Sequence, residues 1–338
     1  MQSANIVIVG AAGLVGQEIA AVLAEHQDRL PVGQIRLVAS DRSAGHELSA
    51  LGRRLRVEAI SPESFTGMDF AFFAAPNDVS AKFAPIAAEA GVVAIDKSSH
   101  FRMQDGIPLV VPEVNLQHVG PEDRIIASPN CSTIQLVMAL GPLEQAFGIR
   151  RVVVSTYQSV SGSGREALEG LDVETQAWAE GERPAAAAYR EPIAFNVLAQ
   201  CDAFLPDGFT KEEHKLRFET RKILGRPDLQ LSATAVRVPV RIGHSEAVSV
   251  EFARDVSPDE AREVLRRQIG VRIVDDPAAG AYPTPLAAAG QDDVLVGRIR
   301  QDPDRADTLH LFVVADNLRK GAATNAVQIA EALWQNGN

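Results

Sequence analysis

Cysteine is nearly absent from this 338-residue chain: only Cys131 and Cys201 occur. That excludes a disulfide-stapled scaffold and points to a reducing compartment. No apolar run approaches the roughly 20 residues that cross a bilayer. The start carries no basic segment, and its apolar stretch runs straight into a glycine loop rather than a cleavage site. The expected location is therefore the cytoplasm, with no membrane partner. Positive charge is also short: 33 Lys and Arg face 44 Asp and Glu, a net charge of −11. No basic surplus exists to neutralise phosphates, which excludes nucleic acid as a partner. Aromatic residues are only 5% of the chain, so the core must be built from Val, Ile, Leu and Ala, as in sheets covered by helices. Internal repeats and low-complexity linkers are absent, and nothing in the sequence calls for a metal.

What is present suffices for about two domains, since 46% of residues are hydrophobic and 23% charged. Asn5–Val9 reads as a strand, residues 10–16 as a glycine loop, and Gln17–Glu25 as a helix with Ile19, Ala20, Leu23 and Ala24 at helical spacing. Strands at Ile35–Ala39, Phe70–Ala74 and Val92–Ile95 follow, with a helix at Val79–Ala90. Strand and helix in alternation predict a doubly wound parallel sheet over residues 1–130. The second half, 131–316, reads as an α+β domain with an antiparallel or mixed sheet. Its strands are Val152–Gln158, Ala233–Val240, Ala247–Phe252, Val294–Arg300 and Leu309–Ala315, with a helix at Pro258–Gln268 and helical, loop-rich sequence over 165–225. The tail, 317–338, contains a helical pattern expected to return to the first domain.

Cys131 carries the strongest chemical signal. It stands in Ser128-Pro129-Asn130-Cys131-Ser132-Thr133, at the mouth of the apolar run Ile134–Leu140. Unpaired N–H groups at a helix start favour thiolate, the form that attacks carbonyls. Cys201 lies in apolar sequence and reads as packing. Gly10, Gly13 and Gly16 form G-x-x-G-x-x-G at the first strand–helix junction, where glycine lets a pyrophosphate approach the backbone and the helix N-terminus hold it. The second strand ends in Ser40-Asp41-Arg42-Ser43. Asp41 would suit a ribose 2′-hydroxyl and Arg42 with its serines a 2′-phosphate; the balance favours NADP over NAD. His244, in Gly243-His244-Ser245-Glu246 and seven residues after Arg237, offers a base near neutrality of the kind that Cys131 needs. Glu212 and Lys215 share one helix face, which by spacing alone is a surface ion pair. Arg102, beside Ser98 and Ser99, suits phosphate or carboxylate.

These segments resemble the aspartate-β-semialdehyde dehydrogenase family. Residues 10–16, 40–45, 98–102, Val111-Pro112-Glu113-Val114-Asn115, 128–135, 155–164, 212–224, 237–246 and 316–330 carry the resemblance in family order across nearly the whole chain. Two departures are Ala12, where threonine is frequent, and Asp41 in the cofactor turn. The resemblance implies a Rossmann-like N-terminal domain and a C-terminal catalytic and dimerisation domain, assembled as a homodimer or homotetramer. It implies NADP-dependent interconversion of aspartyl phosphate and aspartate semialdehyde, on the route to lysine, threonine and methionine, with inorganic phosphate as co-substrate. Cys131 would be the acyl-carrying nucleophile and His244 the base, with Asn130 at the oxyanion and Gln158 beside the thiol. Arg237 would hold the substrate carboxylate and Glu212 its ammonium, while Arg102 and Lys215 would hold phosphate. The cofactor would touch Gly10, Ala12, Gly13, Leu14, Val15, Ser40, Arg42, Ser43, Ser161, Gly162 and Asn317. N-acetyl-γ-glutamyl-phosphate reductase shares the cysteine–histidine plan, but its blocked amine leaves Glu212 without a charge to meet. A non-catalytic paralogue should have lost thiol or base, and both are present.

Overall fold

The computed structural model describes residues 3–337, which form two compact units. The first runs to Asn130 and takes up the chain again from Ala322; the second is Cys131–Gly321.

The first unit contains β1 (Ala4–Val9), α1 (Leu14–Glu25), β2 (Val32–Ala39), β3 (Glu47–Ala50), β4 (Arg53–Arg56), β5 (Glu58–Ala59), β6 (Phe70–Phe73), α2 (Asn77–Glu89), β7 (Val93–Asp96), α3 (Pro112–Asn115) and β8 (Ile125–Ala127). Six of its strands make a parallel sheet in the order β5-β2-β1-β6-β7-β8. Near-continuous apolar strands such as Phe-Ala-Phe-Phe in β6 are what a sheet buried on both faces requires. Ile6 and Ile8 of β1 share one cluster with Ile19 and Leu23 of α1 and with Ala326, Val327 and Ala330 of the C-terminal helix. Truncating one such residue, as in Leu23→Ala, would cost about 2–5 kcal/mol.

Strand order reverses between β1 and β6, so the crevice for a ligand lies beyond their carboxyl ends. The glycine loop sits there. Gly10 has φ +83°, and a Cβ on it would stand 2.3 Å from the Ala74 carbonyl oxygen that follows β6. No other residue fits that close approach. A further finding is the β3–β4 hairpin, whose turn places Leu51 at φ 51° and Gly52 at φ 70°. Hairpin turns of this kind usually carry Asn-Gly or Asp-Gly, and leucine hides the signal.

The second unit contains α4 (Cys131–Phe147), β9 (Ile149–Gln158), α5 (Arg165–Ala179), α6 (Lys211–Leu224), β10 (Gln230–Arg237), β11 (His244–Phe252), α7 (Pro258–Arg266), β12 (Val271–Ile273), α8 (Pro285–Ala288), β13 (Val294–Gln301) and β14 (Thr308–Ala315). Its sheet runs β10-β9-β11-β14-β13-β12 and is mixed, with β10 parallel to β9, β12 parallel to β13, and the rest antiparallel. The N-terminal parallel sheet and C-terminal mixed sheet agree with the fold class read from sequence. Alternate residues of β9, β10 and β11 are buried, which is the pattern of a sheet covered on one face. α4 is buried from Ser132 to Gly141 and packs against α6 and α7. α6 starts on a Thr210–Glu213 capping box and stops at Gly225 in the left-handed region.

Two boundaries differ from the sequence reading. β10 stops at Arg237 rather than running to Val240, because Pro239 has no N–H for the ladder. The tail leaves the second unit at Gly321, not at residue 316. Asp316 accepts hydrogen bonds from the Leu318 and Arg319 N–H groups, and Arg319 pairs with Asp292, which ties 317–321 to the second unit. α9 (Thr324–Gly337) then belongs to the first. Among the described residues no helix is long and apolar enough to cross a membrane.

Candidate active site

In the second unit the end of β9 organises the site. Gln158 is buried and its Nε2 donates to Ser132 Oγ at 2.9 Å and to Glu212 Oε1 at 3.1 Å. Its neighbour Ser159 donates its backbone N–H to His244 Nδ1 at 3.0 Å, and accepts a hydrogen bond on its carbonyl from Arg237 Nη1 at 2.7 Å. Two consecutive residues thus tie the first turn of α4, the start of α6, the end of β10 and the start of β11 to one place. Cys131 is the first residue of α4 and only partly buried, with the first-turn N–H groups that have no helical acceptor.

His244 is fully buried and opens β11. Burial, helped by the Arg237 guanidinium, holds its imidazole well below the usual histidine range, so it is neutral at physiological pH. Its Nε2 has no hydrogen-bond partner. The residue facing that edge is Gly162, where a Cβ would come within 3.1 Å of Nε2. The open edge is where a reacting group can be met.

The substrate-facing polar groups are similarly placed. Arg237 is buried, its Nε is unpartnered, and its guanidinium lies 5.9 Å from the centre of the Tyr189 ring. Glu212 is buried, which corrects the surface ion pair that spacing alone gave: Lys215 Nζ donates to Glu212 Oε2 at 3.0 Å and to Asp202 Oδ2 at 2.8 Å. Burial pulls the Lys215 ammonium down, but the Glu212 and Asp202 carboxylates outweigh it and raise it. A cavity of about 480 Å³ is lined by Arg237, Tyr189, Arg190, Cys201 and Asp202 among others. Cys201 is buried and its thiol is pushed up to about 12 by that burial, as suits packing. Ser161 and Asn317 are buried and bonded, Ser161 Oγ donating to Asn317 Oδ1 at 3.0 Å.

The remaining sequence candidates lie in the first unit. α1 begins at Leu14 after Gly13, with no side-chain cap on its first turn, which leaves N–H groups for an anion. Gly10, Ala12, Gly13, Leu14 and Val15 form this loop and turn. Ser40, Asp41 and Arg42 are exposed on a turn closed by Ser43 N–H to Ser40 O at 2.9 Å. An uncapped helix start and a glycine pressed against the end of β6 fit the pyrophosphate of a dinucleotide. Arg102 is buried and donates from Nη2 to the Lys97 carbonyl at 2.7 Å; Asn130 is buried at the end of the unit.

Four participants escaped the sequence reading: Ser132, Ser159, Tyr189 and Asp202. Ser132 and Ser159 each adjoin a recognised residue, which was the available signal. Tyr189 and Asp202 sit in irregular chain with no periodicity. Asp202, at φ 67°, is held in a left-handed conformation that only the fold reveals.

Residues 5–120 match the family model described as semialdehyde dehydrogenase, NAD binding domain, and residues 140–320 match the semialdehyde dehydrogenase, dimerisation domain. An aspartate-semialdehyde dehydrogenase of Aquifex aeolicus is 50% identical over 337 residues, covering 98% of each chain. The crystal structure of aspartate semialdehyde dehydrogenase II complexed with ASA from Vibrio cholerae superposes with a TM-score of 0.95, at 43% identity and 99% coverage of both chains. The enzyme with NADP from Candida albicans gives 0.78 at 26% identity, with 98% of each chain covered. Full-length identity of this order, on the same two-unit fold, places the chain in the aspartate-semialdehyde dehydrogenase family, oxidoreductases that act on an aldehyde with a nicotinamide cofactor.

Proposed function

We propose that the protein interconverts L-aspartyl 4-phosphate and L-aspartate 4-semialdehyde with NADP, through a thioester on Cys131, as a step towards lysine, threonine and methionine in the cytoplasm. The observation that carries the reading is the cluster of buried Glu212 and Gln158 with half-buried Lys215, sharing the end of β9 with His244 and Arg237. It offers one carboxylate for an ammonium and cations for two anions. An N-acetylated substrate would give Glu212 nothing to neutralise, which disfavours the glutamyl-phosphate reductase alternative.

In the oxidative direction Cys131 attacks the aldehyde carbon, and the thiol proton goes to His244 Nε2. The oxygen of the resulting thiohemiacetal faces the Cys131 N–H and the Asn130 amide; one such donor is worth about 3 kcal/mol of barrier. NADP, when bound, supplies the hydride acceptor that turns this adduct into a thioester. Phosphate, held by Lys215 and Arg102, then attacks the thioester carbon, and the thiolate of Cys131 leaves. Arg237 orients the α-carboxylate through a two-pronged contact, and Glu212 receives the α-ammonium. Gly10, Ala12, Gly13, Leu14 and Val15 hold the pyrophosphate, Ser40, Arg42 and Ser43 the 2′-phosphate, and Ser161, Gly162 and Asn317 the nicotinamide end. Residues 1–130 with the C-terminal helix serve as the cofactor domain; the remainder serves catalysis and assembly, as a homodimer or homotetramer.

The test is NADP reduction by the purified protein with aspartate semialdehyde, with and without inorganic phosphate. Turnover that requires phosphate is expected; no turnover with either NADP or NAD would overturn the reading.

A further inference from the structure

Among the described residues no carboxylate is hydrogen-bonded to His244. Its Nδ1 instead faces two different groups of one residue: the Ser159 backbone N–H at 3.0 Å and the Ser159 hydroxyl oxygen at 3.1 Å. The N–H can only donate. The hydroxyl can serve in the opposite sense. Asn317 Oδ1, oriented by the Gly243 N–H at 2.9 Å and the Ser161 hydroxyl at 3.0 Å, lies 2.9 Å from Ser159 Oγ and can take its hydrogen. Ser159 Oγ, which also meets Ser161 Oγ at 3.0 Å, then has a lone pair for Nδ1.

We propose that Ser159, held by Asn317, is the positioning residue of the base, giving His244 Nδ1 an acceptor when it carries a proton and a donor when it does not. The inference rests on the proposed reaction and deepens it. With Nδ1 protonated and bonded to Ser159 Oγ, Nε2 presents a lone pair and takes the proton of the Cys131 thiol. The imidazolium keeps the same Nδ1–H···Oγ bond. With Nδ1 bare and accepting the Ser159 N–H, Nε2 carries the hydrogen and can give it to an oxyanion or leaving group. A tilt of the ring between the Ser159 N–H and the Ser159 Oγ therefore serves both directions of the reaction. A neutral serine–asparagine pair fills the place a carboxylate holds in a Ser-His-Asp arrangement. It supports the protonated ring without adding a buried negative charge beside the incoming phosphate. Gly162 keeps the Nε2 edge open.

Ser159→Ala removes the hydroxyl and leaves the backbone N–H, so it should trap His244 with its hydrogen on Nε2. Two measurements on the intact protein test this. Alkylation of Cys131 by iodoacetamide at pH 7 needs no substrate, and buried Cys201 does not compete. It should slow about tenfold in Ser159→Ala, part of the roughly 10²–10⁴-fold a whole general base contributes. The kcat for aldehyde oxidation should fall by a similar factor with KM changed less than about twofold. Ser159→Thr, which keeps the hydroxyl, should recover most of both. Native alkylation and native kcat in Ser159→Ala, or a threonine variant no better than alanine, would overturn the proposal. Slowed alkylation in a protein that does not oxidise aspartate semialdehyde at all would leave the relay standing and reject the substrate assignment instead.

Discussion

Two thiols in this chain have opposite fates. Cys131 opens α4 at a partly exposed helix start, while Cys201 is buried with its thiol pushed up to about 12. Only the first stands at a helix start, where the field favours thiolate. Cys131→Ala should abolish turnover yet leave NADPH binding, followed by nicotinamide fluorescence, within about twofold; a surviving rate above background would put the nucleophile elsewhere. At the cofactor turn the decision between Asp41 and Arg42 is also a matter of single side chains. Loss of a charge-assisted hydrogen bond costs roughly 1.5–3 kcal/mol, so Arg42→Ala should raise KM for NADP about tenfold or more and leave KM for NAD little changed. Equal effects on both cofactors would mean that Arg42 does not read the 2′-phosphate.

Elements are held by buried carboxylates used in two ways. Glu174 of α5 accepts from the N–H of Ala187 at 3.0 Å, of Ile193 at 2.6 Å and of Ala194 at 2.8 Å, pinning the segment that carries Tyr189 over Arg237. An amide in its place would turn a donor towards at least one of those donors. Glu174→Gln should therefore destabilise by about 1–3 kcal/mol and raise KM for the aldehyde more than it lowers kcat; an unchanged KM would uncouple this segment from Arg237. Glu246, two residues beyond His244 on β11, is fully buried. Burial drives its carboxyl well above the usual range; the Gln135 side chain pulls the other way and the Glu212 charge adds to the rise. An acid raised in the folded state contributes stability that is complete below its unfolded pKa and is lost as pH rises towards the folded one. Glu246→Gln should therefore raise Tm at pH 8 and do so much less at pH 5. The same gain at both would show that the carboxyl is not held neutral.

For the whole molecule, the second unit leaves one face of its mixed sheet uncovered by this chain: Val153 and Tyr157 of β9 are 37% and 38% exposed, and Tyr157 leans on Phe312 of β14. The family model described as a dimerisation domain matches residues 140–320 of this unit. An aromatic and aliphatic sheet face of this kind is suited to a second copy. Val153→Glu would place a charge there, and sedimentation velocity should register a shift towards monomer at micromolar concentration; an unchanged distribution would assign assembly to another surface.

The amino-acid sequence by itself determined what depends on neighbours along the chain. Strand and helix alternation up to Asn130, the glycines between β1 and α1, and the cysteine at a helix start are local patterns, legible because period, turn and cap are short-range physics. Short elements were hidden: β8 has three residues, and the β3–β4 turn uses leucine where asparagine would announce it. Only tertiary structure decided the rest. Spacing made Glu212 and Lys215 a surface pair; folding buried Glu212 beneath Gln158 and brought Asp202, thirteen residues earlier, onto Lys215. His244 was one of seven histidines until Ser159, 85 residues earlier, met its Nδ1 and Asn317 fixed that serine. Burial and hydrogen-bond partners are properties of the packed chain, and they turn a list of residue types into a base, an anion site and an inert thiol.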